Sequence, residues 1–110
     1  QKNLFSKLAS RRAACDICND TFFIYTFDPE GKIIDIIPIQ LTKIDNLNWT
    51  EEDIKKLKGR TIGRSILKPF AFDPSVDSVS GATITAALVF DSLDKAKVIF
   101  GKLKKEGYVK

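Results

Sequence analysis

Thr83 closes the run Asp77-Ser78-Val79-Ser80-Gly81-Ala82-Thr83, whose residue types could hold a phosphate. The run sits where a turn-rich loop enters the longest helical pattern of the chain. The first amides of a helix lack intrahelical partners, and the helix dipole adds positive potential there. Gly81 lets the backbone come close to a ligand, and Ala82 keeps the entrance clear. The Thr83 hydroxyl adds a further option, a covalent phosphoester. With Ser80 as N-cap, Thr83 is the third residue of the first turn, where a phosphate would gain roughly 0.3–1 kcal/mol per charge. Asp77 is an anion and would not touch that phosphate. The plainer reading is a helix start and nothing more, since Ser is a favoured N-cap and Thr is common in first turns. On Ser80-Gly81-Ala82-Thr83 alone, that plainer reading leads.

A second group with chemical capacity is the Cys15-x-x-Cys18 pair. Covalent haem attachment needs His directly after the second Cys, and Asn19 stands there. A zinc site needs four ligands, whereas the chain has two Cys and no His. A local structural disulfide or a redox dithiol remains. The pair lies between a helical pattern and a strand, unlike the thioredoxin arrangement at a helix start.

The absence of His and Met removes imidazole acid–base catalysis, His-ligated zinc and His/Met haem ligation. Hard chemistry must then come from Cys, carboxylates, hydroxyls or a bound cofactor. With 110 residues the chain suits one domain, which at this size buries roughly 65% of its unfolded surface. Its formal charge of +4 raises nucleic acid as a partner. However, the basic residues are spread out, and the clusters are only Arg11-Arg12 and Lys102-Lys104-Lys105. The second cluster reads as cations at a helix C-terminus, so no nucleic-acid partner is expected. No apolar run approaches the ~18 residues of a membrane span. No signal peptide is visible; the sequence opens on Gln1, so nothing about export follows.

The elements that must position these groups are α+β in pattern. Asn3 to Ala14 reads as a short helix, with Leu4, Phe5, Leu8 and Ala13 near one face. The β-formers of Thr21 to Phe27 predict a strand, Asp28-Pro29-Glu30-Gly31 a turn, and Lys32 to Ile37 a second strand, giving an antiparallel hairpin. Pro38 ends that strand or places it at an edge. Gln40 to Asn48 reads as a polar loop. Thr50 caps a helix with acids in its first turn, Trp49 can staple onto Ile54, and Gly59 stops it. Thr61-Ile62 and Ser65-Ile66-Leu67 are candidate short strands. A last helix is expected over 81–106. Its buried stripe is Ala82, Ala86, Val89, Leu93, Ala96, Phe100 and Leu103, flanked by Phe90 and Ile99, and Gly107 is its C-cap. The expected fold is therefore a small antiparallel sheet packed by a long C-terminal helix, with short N-terminal and central helices. Residues 1–20 form an N-terminal helix and Cys-x-x-Cys segment and 21–110 the main body of a single compact unit.

The spacing Asp77-x-x-Ser80-Gly81-Ala82-Thr83, followed by Ile84-Thr85 and a long Ala-rich helix, resembles the flavin-attachment motif of the FMN-binding domain family. The order of hairpin, loop, short helix and motif is also similar. The resemblance covers about residues 21–106 and is to a minimal form of the Rnf and NqrC electron-transport subunits. In that family a transferase moves FMN from FAD onto the last threonine of the motif. The resemblance thus implies FMN bound covalently through Thr83, with Ser80, Gly81, Ala82 and Thr85 around it and Asp77 serving the transferase. One departure is the segment 40–46, where those relatives often carry a Gly/Pro-containing loop that helps enclose the flavin. Trp49, Thr42 and Lys43 are candidates for ring or phosphate contacts, although Trp49 reads more simply as a staple.

The implied role is an electron-carrier domain rather than a stand-alone enzyme. Its implied partners are an FAD-dependent FMN transferase, redox proteins and a membrane electron-transport complex, outside the cytoplasm in the periplasm or at the outer cell face. Two alternatives stand beside it. One is a module that binds FMN without a covalent bond. The other is a thiol–disulfide partner acting through Cys15 and Cys18, whose dithiol could also exchange electrons with a nearby flavin.

Overall fold

The computed structural model describes residues 4–12, 19–43, 47–73, 77 and 82–109. Its centre is β2 (Thr21–Phe27), in which Thr21, Phe23, Tyr25 and Phe27 are buried and Phe22, Ile24 and Thr26 are half-buried. This two-residue alternation is what a strand with one core face requires. β3 (Ile33–Gln40) pairs with it antiparallel, Ile24 opposite Ile37 and Tyr25 opposite Ile36. The expected turn joins them. The Gly31 amide donates to the Asp28 carbonyl, while Asp28 Oδ1 accepts from the Glu30 and Lys32 amides. β3 continues through Pro38 to Gln40, and it lies at a sheet edge, where a missing N–H is tolerated.

The expected N-terminal helix is overturned. Phe5–Arg11 is a strand, β1, paired antiparallel with β2 along its whole length from Phe5 opposite Phe27 to Arg11 opposite Thr21, giving the order β1-β2-β3. The apolar spacing of Leu4, Phe5 and Leu8 fits one helix face, but β2 offers a row of ladder groups and an aromatic surface that seven residues can join. Phe5 stacks on Phe27 with ring centroids 5.6 Å apart, a contact a helix would not make in this register.

The loop expected over 40–48 holds a second small hairpin, β4 (Thr42–Lys43) and β5 (Leu47–Asn48). It leads into α1 (Glu51–Thr61). Thr50 is the N-cap as expected: its hydroxyl accepts from the Asp53 amide at 3.1 Å, and Asp53 Oδ2 accepts the Thr50 amide at 2.8 Å, a complete capping box. Trp49 and Ile54 join the same apolar cluster. Gly59 does not stop the helix. It continues to Thr61, whose hydroxyl donates back to the Leu57 carbonyl, and ends at Ile62 before Gly63 at φ +92°. The candidate strands beyond it reduce to one bridge, Ser65 to Lys32, with Ile66 buried beside the turn.

The C-terminal helix is broken once. α2 (Thr83–Asp94) and α3 (Ala96–Lys105) meet at Lys95, where the amide reaches back to the Asp91 carbonyl and the next turn restarts from the Lys95 carbonyl to Val98. The apolar stripe is as expected: Ala82, Ala86, Val89, Phe90, Leu93, Ala96 and Phe100 are buried, while Ile99 and Leu103 are partly so. Gly107, at φ +86°, sits just past the end. Its amide donates to the Lys104 carbonyl and that of Tyr108 to Leu103, the double closure of a Schellman motif. The core lies between this stripe and the inner face of the sheet, with Phe27 meeting Phe100 at 6.2 Å and Phe70 and Phe72 set edge-on to Phe90. Each aromatic side chain buried here contributes about 1.5–3 kcal/mol.

Candidate functional site

α2 begins at Thr83, six residues beyond Asp77 in sequence. Its N-cap is Ala82, with φ −143° and ψ 35°, and the first intrahelical bond runs from the Ala86 amide to the Ala82 carbonyl at 2.9 Å. Thr83 is therefore the first residue of the helix, not the third from a Ser80 cap. This is a correction to the expected register. Ser80 and Gly81 lie outside the described residues, as do Cys15 and Cys18. Ala82 is buried, Thr85 half-buried and Ile84 exposed.

The electrostatics of this helix start favour an anion. The amides of 83–85 precede the first residue that can donate within the helix. Among the described residues no side chain caps them, and no acidic residue stands in the first turn. By contrast, α1 has both a side-chain cap and three acids in its first turn, Glu51, Glu52 and Asp53. The two helix starts have opposite character: α1 supplies its own negative charge, and α2 leaves its positive end without one.

Asp77 is paired with Arg60. The carboxylate is buried, 2% exposed at the side chain, with Oδ1 accepting from Arg60 Nε at 2.8 Å and Oδ2 accepting the Asp73 amide at 2.9 Å. The Asp77 amide in turn donates to the Asp73 carbonyl at 2.8 Å. Arg60 was given no role from sequence, where one more basic residue near a helix C-terminus carries no signal. Its guanidinium is half exposed and ties the last turn of α1 to the approach to α2.

Trp49, Thr42 and Lys43 each have a place within the protein's own packing. Trp49 is buried in the core, with its indole N–H donating to the Thr42 carbonyl at 3.1 Å. Thr42 is buried and Lys43 pairs with Asp53 at 3.4 Å. Together they pin the second hairpin to the start of α1.

The residues that are present fit a phosphate. Among the described residues, the helix start has no side-chain cap and no acid in its first turn, and the Asp77 carboxylate is paired with a guanidinium. Among the described residues no group of three or more Cys, Asp or Glu is placed to hold a metal ion, and no helix is long and apolar enough to cross a membrane. No family model, no curated protein and no solved structure matches the chain.

Proposed function

We propose that the chain is an electron-carrier domain holding FMN as a phosphoester on Thr83. The observation that carries this reading is the position of Thr83 as the first residue of a helix with no side-chain cap among the described residues and no acid in its first turn. The sequence Asp77-x-x-Ser80-Gly81-Ala82-Thr83, which resembles the flavin-attachment motif, supports it from the other side. Attachment replaces the diphosphate linkage of FAD by a bond to the Thr83 oxygen. AMP leaves, and the hydroxyl proton passes to a base of the transferase. Bound there, the flavin supplies the redox chemistry. The protein residues bind and orient: the first amides of α2 face the phosphate, and buried Ala82 lets the chain approach the core closely. Asp77, the residue that the resemblance assigns to the transferase step, is held by Arg60. The electron partners are other proteins, outside the cytoplasm, in a membrane-linked chain.

The test is co-production with an FAD-dependent FMN transferase followed by intact-mass measurement. The expected result is a gain of one FMN less one water, absent from Thr83→Ala. Unmodified wild-type protein beside a transferase shown active on another acceptor overturns the reading. Yellow colour that survives denaturation in wild type and is lost in the variant supports it. Flavin that stays bound to Thr83→Ala means binding without the covalent bond.

A further inference from the structure

A groove of about 420 Å³ runs between β1 and the joint of α2 with α3. It is separate from the start of α2, since Ser92 on its wall stands nine residues beyond Thr83, about 13 Å along the helix. Its volume falls at the low end of pockets that hold small molecules.

Tyr25 lies in it. The residue is 1% exposed and lines the groove, so its phenol is a polar group at the groove wall. The ring itself is fixed, stacked on Phe27 at 6.1 Å and tilted against Phe23 at 6.1 Å. The hydroxyl therefore has a set position rather than a free one.

The walls carry charge of one dominant sign. Lys7 stands opposite Tyr25 across the β1–β2 ladder. Arg11 and Lys95 both reach Asp91, at 2.8 and 2.9 Å, and Arg11 also donates to the Ser92 hydroxyl at 3.2 Å. Two cations thus share one carboxylate, and Lys7 is a third cation in the groove wall. Ala9, on the same sheet face as Lys7 and Tyr25, and Ile99 add apolar surface.

We propose that this groove is a binding site for a small organic anion with an apolar or aromatic body. The anionic group meets Lys7, Lys95 and the Tyr25 hydroxyl, while the body lies against Ala9 and Ile99. A plain apolar cleft would need neither the hydroxyl nor the cations. A phosphate or sulfate alone would leave the apolar surface uncovered.

The test uses anilinonaphthalene sulfonate, an aromatic anion whose fluorescence rises on binding, against its uncharged counterpart phenylnaphthylamine. The expected result is saturable binding of the anion by the native protein and markedly weaker binding of the neutral compound. A Lys7→Glu/Lys95→Glu double variant should lose about tenfold or more in affinity for the anion. Lys102→Glu, a charge reversal of the same kind outside the groove, should bind as wild type. Tyr25→Phe should weaken the anion severalfold while keeping the ring and its packing. The charge reversals lie on exposed side chains, so folding is preserved and is checked by circular dichroism. No saturable binding at millimolar anion overturns the proposal. So does equal affinity of the two compounds, or equal loss in Lys102→Glu and the groove variant.

Discussion

Arg60 and Asp77 join the end of the central helix to the approach of the candidate attachment helix through a single 2.8 Å contact from Nε to Oδ1. The two partners are unequal. The Asp77 side chain is 2% exposed and that of Arg60 47%, so the carboxylate depends on the pair more than the guanidinium does. Removing Arg60 leaves a buried carboxylate whose other donor among the described residues is the Asp73 amide. Because one partner keeps its water, the loss should fall below that of a fully buried pair.

Arg60→Ala is thus expected to destabilise the fold by about 1–3 kcal/mol in urea unfolding. Arg60→Lys should recover part of it, since an ammonium cannot reproduce the planar Nε donor. A double-mutant cycle with Asp77→Ala isolates the pair, and strict additivity would show that the contact contributes nothing. On the function proposed above, Arg60→Ala should also lower the fraction of protein that the transferase modifies, at a temperature where the variant is folded.

Two aspartates make stability depend on acid. Burial pushes the Asp53 carboxyl up, but hydrogen bonds from the Thr50 amide and hydroxyl and from Lys43 together hold it below its ordinary value. Asp91 is also held below it, by Lys95 and then Arg11, against a smaller opposing effect of burial. A carboxyl with a depressed pKa in the folded state binds its proton first in the unfolded chain. Its contribution is complete above the unfolded value, about 4, and is lost as pH falls through the folded value. Stability should be flat from neutral pH to about 5 and decline below about 4. Thr50→Ala should lower it by about 1 kcal/mol at neutral pH and make the acid decline shallower. An acid limb unchanged in both Thr50→Ala and Lys95→Ala would refute this assignment.

The strands and the apolar stripe were legible because their signals are local. β2 alternates within seven residues, and the Asp28-Pro29-Glu30-Gly31 turn fixes the hairpin from its own side chains. β1 was not legible because its identity comes from its partner. Four of its seven residues are exposed, so no alternation marks it, and its apolar spacing at Leu4, Phe5 and Leu8 matches a helix face equally well. Pairing with β2 across some twenty residues decides the matter. The break at Lys95 was hidden for a related reason, since Leu93 and Ala96 keep the same stripe on either side of it. At the candidate site, the motif was readable as a string of types, but the register was not. The cap falls at Ala82, which has no capping side chain to announce it. The Arg60–Asp77 contact spans seventeen residues and left no trace in spacing.

Gly31 tests the turn that orders the sheet. Its φ of +87° is one that residues with a Cβ adopt at a cost of about 1–2 kcal/mol. A Cβ there would also meet Leu67 Cγ at 3.2 Å, close enough that the Leu67 side chain must move. The Gly31 carbonyl accepts the Ile66 amide, so the turn also anchors the segment beyond α1. Gly31→Ala should lower the unfolding free energy by about 1–3 kcal/mol, with most of the loss seen as faster unfolding once the hairpin has formed. A change below a few tenths of a kcal/mol would mean that the turn relaxes without strain.

Tyr25 gives a direct reading of the groove. Burial disfavours its phenolate and pushes the pKa up to about 12. The chain has two tyrosines, so a Tyr108→Phe background leaves Tyr25 as the sole source of tyrosinate absorbance. Titrated in the folded protein, that absorbance should rise near pH 12 rather than near the value of about 10 for a free tyrosine. In the unfolded chain the same proton leaves earlier. Stability is therefore unaffected below about pH 10 and falls as pH rises from about 10 through 12. An anion seated against the hydroxyl should raise the midpoint further, because a second negative charge opposes ionisation and the hydroxyl proton is donated to the ligand. Saturation with anilinonaphthalene sulfonate should move the midpoint upward in this background and leave it in place when Lys7 and Lys95 are both reversed to Glu. A folded-state midpoint near 10, with circular dichroism showing the fold intact, would place the hydroxyl in open water and remove the basis for a built site there.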